Sequence, residues 1–185
     1  MVKELRSWLL KLAQEAMRRE GSADAAHDYD HLVRVMALAD TIQAHEGGHL
    51  PTIQAAVAFH DIGQERERQH GSDHALIGAD MAAGILTGTQ FPQEAITRVQ
   101  QAIRDHRMTG KNIPQSLEGR ILYDADKIDC LGAIGIGRLY LITGRRNQKV
   151  YSPLPADIVE PVDPEVVRTL RNRPDYSPSI EFQLL

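Results

Sequence analysis

The chain has 185 residues and a formal net charge of −4, with 42% hydrophobic and 25% charged residues, ordinary values for one globular domain with a sizeable core. The acidic balance argues against a protein that coats nucleic acid. No apolar run reaches membrane-spanning length, because the best stretch, Leu131 to Ile142, is interrupted by glycines and by Arg138. The single cysteine, Cys130, rules out an internal disulfide and a cysteine-based zinc site, and makes a cytoplasmic setting the expectation.

Helical periodicity dominates from the start to about Gly144 and predicts helices over residues 3–19, 29–46, 51–61, 72–87, 93–107 and 118–143. The first could be mistaken for a signal peptide, but Lys11, Gln14 and Glu15 interrupt its apolar residues, so it reads as an amphipathic helix. Pro51 and Pro92 suit early helical positions; Gly47-Gly48, Gly88 and Gly110 suit helix ends. The run QERERQHGSD, residues 64–73, reads as a charged loop. Alternating strand patterns are nearly absent, so the expected class is all-α, a single compact helical domain over residues 1–144. Residues 145–185 hold six of the nine prolines. They are expected to form an extension packed on the domain or at a subunit interface, with a short helix near Pro164–Arg171; a homodimer is left open.

The unusual count is histidine, eight residues beside many aspartates. His31 lies in helical register with Val35, Leu38 and Ile42; His60 follows Ile53, Ala56 and Val57; His74 aligns with Ile77, Met81 and Ile85. His106 aligns with Ile96, Val99 and Ile103, and Asp126 with Leu122 and Ala133. Each spacing follows the rhythm of one helix face. Five helices therefore each turn an ionisable group toward one interior, and Asp61 adds a second group beside His60. Buried carboxylates need a partner, and a divalent cation is the simplest one for a set of imidazoles and carboxylates. His27 and the capping candidates Asp28 and Asp30 sit at the start of the second helix. His45, His49 and His70 read as surface or loop residues.

The order H…HD…D resembles the signature of the HD-domain superfamily of metal-dependent phosphohydrolases. It is carried here by His31 in HDYDHLVRVMALA, His60-Asp61 in AAVAFHDIG and Asp126 in ILYDADKIDCLGAIGIGR; the block SDHALIGADMAAGIL resembles the next helix of HDIG-type members. The resemblance covers about residues 20–143 and implies that His31, His60, Asp61 and Asp126 hold a divalent ion, Mn²⁺, Mg²⁺, Co²⁺, Ni²⁺ or Fe²⁺. It further implies metal-assisted hydrolysis of a small phosphorylated substrate, a nucleotide or another phosphoester or phosphoanhydride. Two-metal members read H…HD…H…H…D, so His74 and His106 would serve a second ion or contact a substrate phosphate.

Around that set, Asp61 is the expected catalytic centre. Lys127 and Arg34 are candidates for catalysis and for holding a phosphate. Glu65 is a candidate for orienting water, and Asp129 for binding substrate or holding Lys127 or a ligand histidine. Tyr29, Phe59, Tyr123 and Tyr140 are the candidates for stacking on a base. Neither a membrane nor a stable nucleic-acid complex is expected as a partner. Two other readings stay open on this scaffold: a two-iron oxygenase, and a nucleotide-binding signalling module without turnover.

Overall fold

A computed structural model of the chain describes residues 2–22, 24–107 and 113–149; the helix expected near Pro164–Arg171, Gly110 and the extension from residue 150 lie outside these. Among the described residues all regular structure is helical: α1 (Val2–Arg19), α2 (Tyr29–Glu46), α3 (Leu50–Phe59), α4 (Gln64–His70), α5 (His74–Thr87), α6 (Gln93–Asp105), α7 (Leu117–Ile128) and α8 (Gly132–Arg145). The all-α expectation holds. No helix among them is long and apolar enough to cross a membrane.

Two elements differ from the sequence reading. Residues 64–70, expected as loop, form α4. It has no buried residue, so no apolar stripe announces it; Glu65 instead pairs with Arg68 and accepts a hydrogen bond from Gln69 Nε2 at 2.9 Å along the helix. Gly71, left-handed at φ 72°, ends it. The single helix expected over 118–143 is two. Asp129 caps α7, Leu131 is extended at the start of α8, and Gly132 adopts φ 65°, a left-handed value that breaks the helical path.

The described residues divide into two compact units, one ending at Asp129 and the other beginning at Cys130. In the second, α8 exposes Ile134, Ile136, Tyr140 and Leu141, while Arg138 is buried with Nη1 3.6 Å from Cys130 Sγ.

The first unit is organised about α3. This helix is predominantly apolar, and every residue from Thr52 to Phe59 is buried, the pattern of a helix surrounded by others. It packs against α1, α2, α5, α6 and α7. Phe59, Ile53, Leu32, Met36, Ile103 and Leu122 are among its largest fully buried neighbours and members. The residues that follow α3, His60 and Asp61, consequently emerge inside the core.

The turn after α3 presses its backbone against α5. A Cβ on Gly63 would lie 2.4 Å from the His74 carbonyl oxygen and 2.8 Å from the Gly78 amide nitrogen; one on Gly78 would lie 3.2 Å from the His60 carbonyl oxygen. These glycines let the His60-Asp61 turn and the helix beginning at His74 approach backbone to backbone. Gly63→Ala should therefore destabilise the protein by about 1–3 kcal/mol. Gly84→Ala, whose Cβ on the same α5 meets nothing within 4 Å, should be stabilising by up to about 1 kcal/mol. Urea denaturation of the two variants checks the contrast, and equal stabilities would refute it.

Candidate metal centre

Helix ends deliver the cluster. Asp28 caps α2, its carboxylate accepting the His31 backbone N–H at 2.9 Å, which sets His31 in the first turn. Asp73 caps α5 in the same way and places His74 at its first position. His60 is the residue at which α3 ends, His106 that at which α6 ends, and Asp126 lies in the last turn of α7. Three helix C-termini thus meet here, and the negative ends of their dipoles favour positive charge. His31, His60, Asp61, His74, His106 and Asp126 are all buried. The five residues read from the sequence as inward-facing are buried, and Asp61 is buried beside His60.

The four imidazoles share one orientation. Nδ1 of His31 faces Asp129 Oδ2 at 2.8 Å, and that of His60 faces the Val57 carbonyl at 2.8 Å. Nδ1 of His74 faces Glu67 Oε2 at 2.7 Å, and that of His106 the Ile103 carbonyl at 2.5 Å. Carbonyls and carboxylates only accept, so each Nδ1 carries the hydrogen and donates outward. In the neutral ring Nε2 is then a lone pair, and all four point inward. His31 and His60 Nε2 lie 3.3 Å apart, a separation at which two lone pairs repel unless a cation or proton lies between them.

Asp61 divides the cluster in two. Its Oδ2 lies 3.5 Å from His31 Nε2 and 3.3 Å from His60 Nε2, while Asp126 Oδ1 lies 3.5 and 3.8 Å from the same two nitrogens. Its Oδ1 lies 3.8 Å from both His74 Nε2 and His106 Nε2. One carboxylate therefore presents a different oxygen to each histidine pair. Two overlapping sets, His31–His60–Asp126 and His60–Asp61–His106, bring ligand atoms within 4.8 Å of one another. The donor set, imidazole nitrogens with carboxylate oxygens, fits a borderline divalent ion, so the cluster can hold a metal.

The electrostatics agree. Burial opposes a charge on His60, but the Asp61 and Asp126 carboxylates outweigh it and raise its pKa to about 9. Burial would raise both aspartates, yet His60 holds Asp61 well below its usual range, and His60 with Lys127 brings Asp126 down to about 2. Burial and the His60 charge push His106 down to about 4, so it is neutral at pH 7. Without a metal, a proton on His60 serves as the cluster's cation.

The remaining sequence candidates divide. Asp129 accepts the His31 Nδ1 hydrogen and is gripped by Arg34, whose Nε and Nη2 lie 2.7 and 3.1 Å from its two oxygens. Lys127 Nζ lies 2.6 Å from Asp126 Oδ2 and 5.3 Å from the Tyr123 ring centre. Glu65 pairs with Arg68 and Gln69 on its own helix rather than with the cluster. His27 pairs with Asp24 at 2.8 Å, edge-on to the His31 ring. Two contacts were not foreseen: Gln64 Nε2 donates to Asp61 Oδ1 at 3.1 Å, and Glu67 holds His74. The turn-like spacing of Gln64, three residues after Asp61, is the one sequence signal for the former.

The HD domain family model matches residues 28–131, more than half of the chain. A predicted HD superfamily hydrolase from an uncultured Thermotogales bacterium is 37% identical, with a TM-score of 0.62 over 72% of this chain and 73% of that one. An HD-superfamily hydrolase from Bacillus thuringiensis is 26% identical, with a TM-score of 0.61 over 84% of this chain and 73% of its own. YpgQ of Bacillus subtilis is 27% identical over 153 residues, 80% of this chain and 69% of that protein. The family match runs through all six clustered residues, and the chain belongs to the HD-domain family and has the fold of HD-superfamily hydrolases.

Proposed function

We propose that the protein is a metal-dependent phosphohydrolase acting on a nucleotide or another small phosphoester or phosphoanhydride. The observation that carries this reading is the convergence of four Nε2 lone pairs on two buried carboxylates. His31, His60, Asp61 and Asp126 would hold one divalent ion, Mn²⁺, Mg²⁺, Co²⁺, Ni²⁺ or Fe²⁺. His74, His106 and the second oxygen of Asp61 would hold another. When bound, the metal supplies Lewis acidity for polarising a phosphoryl oxygen and activating a water toward phosphorus. Support for a nucleotide comes from YpgQ of Bacillus subtilis, whose crystal structure is in complex with ADP.

The chain's own residues have separable parts in this scheme. Asp61 spans the two histidine pairs and fixes their spacing. Arg34 and Asp129 lock the His31 ring, since the guanidinium fork holds both carboxylate oxygens while one of them takes the Nδ1 hydrogen. Lys127 neutralises the outer oxygen of Asp126 and stands as the cation at hand for a substrate phosphate. The divided Asp61 carboxylate also suits a two-iron oxygenase. Iron content and oxygen uptake separate that reading from hydrolysis.

Metal analysis, followed by a phosphatase and nucleotide panel with each of the four ions Mn²⁺, Mg²⁺, Co²⁺ and Ni²⁺, tests the proposal. His60→Ala and Asp61→Ala should each abolish turnover and metal binding together; full activity in either refutes it. Asp129→Ala should weaken metal binding by about 10–100-fold, because the His31 ring loses its anchor, and isothermal titration calorimetry reads this directly.

The pH dependence has a definite sign. The His60 pKa is raised from 6.5 to about 9. Its attraction for the aspartates therefore stabilises the metal-free fold fully below pH 6.5 and is lost as pH rises through about 9. A metal must displace that proton. Apparent affinity for the ion that His60 would bind should rise with pH up to about 9, with about one proton released as that ion binds. Titrations in buffers of different ionisation enthalpy measure the release; none would contradict the account.

A further inference from the structure

Glu67 belongs to the charged run QERERQHGSD, in which Glu65 pairs with Arg68 and Arg66 pairs with Glu20. Its own carboxylate reaches a histidine of the cluster. Oε2 accepts the Nδ1 hydrogen of His74 at 2.7 Å, while Oε1 lies 2.9 Å from Arg107 Nη1. The same Arg107 nitrogen lies 3.0 Å from Asp73 Oδ2, and the other oxygen of Asp73 caps α5 at Ala75. Arg107 thereby ties the last turn region of α4 to the first turn of α5, next to His106 in sequence. Two of the four cluster histidines, His60 and His106, anchor Nδ1 on a carbonyl three residues back. His74 is the first residue of its helix, and no preceding helical turn exists to offer it a carbonyl. An external acceptor is required, and a carboxylate is a stronger one than a carbonyl.

We propose that Glu67 is a positioning residue for His74. By taking the Nδ1 hydrogen it fixes the tautomer and rotation of the ring, and so aims the Nε2 lone pair at a second divalent cation beside Asp61 Oδ1 and His106. Arg107 holds Glu67 in turn. The cation part of this inference rests on the two-ion reading above; the hold on the ring does not. A ring released from Glu67 is free to carry its hydrogen on Nε2, which would face the cluster as a donor and repel a cation.

The test uses the full chain. Long-range ¹H–¹⁵N correlation of the histidine rings in metal-free protein, under mildly alkaline conditions, should show His74 as the Nδ1–H tautomer. Glu67→Ala should shift it toward Nε2–H, and Glu67→Gln, which keeps an acceptor oxygen, should restore Nδ1–H. In calorimetric titration with Mn²⁺, Glu67→Ala should weaken the second binding step by about 10–100-fold and leave the first unchanged. An Nε2–H His74 in the wild-type protein, or an unaltered tautomer in Glu67→Ala, overturns the assignment. A wild-type protein that binds a single ion overturns the cation role of Glu67 together with the two-ion reading, while the ring spectra decide its hold on His74 separately.

Discussion

The rest of the site depends on one electrostatic constraint: two carboxylates and four inward imidazole lone pairs are buried together, and such a set is stable only around positive charge. The outward hydrogen bonds make the constraint strict. Because each Nδ1 hydrogen is already given to Asp129, Val57, Glu67 or Ile103, a neutral ring has no hydrogen left to offer the carboxylates. The cluster must take up a cation or a proton. The raised pKa of His60, at about 9, is the same demand met by a proton.

The fold serves that demand by its choice of helix ends. A core helix buried on all sides, α3, delivers His60 and Asp61 into the interior, where loop residues seldom go. The close approach at Gly63 and Gly78 brings the start of α5 against that turn, which puts His74 within reach of the second Asp61 oxygen. Packing and chemistry are therefore coupled at a backbone contact, and a methyl group there would disturb both. The C-termini of α3, α6 and α7 add their partial negative charge to the same place.

Much of this was legible in the sequence because helix registers are periodic. His31, His60, His74, His106 and Asp126 each sit in phase with apolar neighbours, so their inward direction followed from spacing, and the ordered H…HD…D pattern pointed to the HD-domain family that residues 28–131 match. The misses have separate causes. Helix α4 has no apolar face, so period detection had nothing to register. The break between α7 and α8 turns on the backbone of Asp129 to Gly132, while the helical register reads on across it from Asp126 to Ala133. Glu67 was unreadable as a partner of His74 because the hydrogen bond crosses the Gly71 turn between two helices, and a glutamate among charged neighbours looks the same whether it faces water or a histidine. Arg34 and Asp129 were recognised as candidates, but their grip on one another spans 95 residues and could only be seen once α2 and α7 were packed together.

The central claim is that the buried cluster is a metal centre organised by Asp61. Anomalous diffraction from crystals grown with Mn²⁺ or Co²⁺, with data on both sides of the metal absorption edge, tests it most directly. The account predicts a peak at bonding distance, about 2.0–2.2 Å, from the Nε2 atoms of His31 and His60 and from oxygens of Asp61 and Asp126. A second peak is predicted on the other side of Asp61, toward His74 and His106. A map with no anomalous density in the cluster, or with density only at the protein surface, would contradict it.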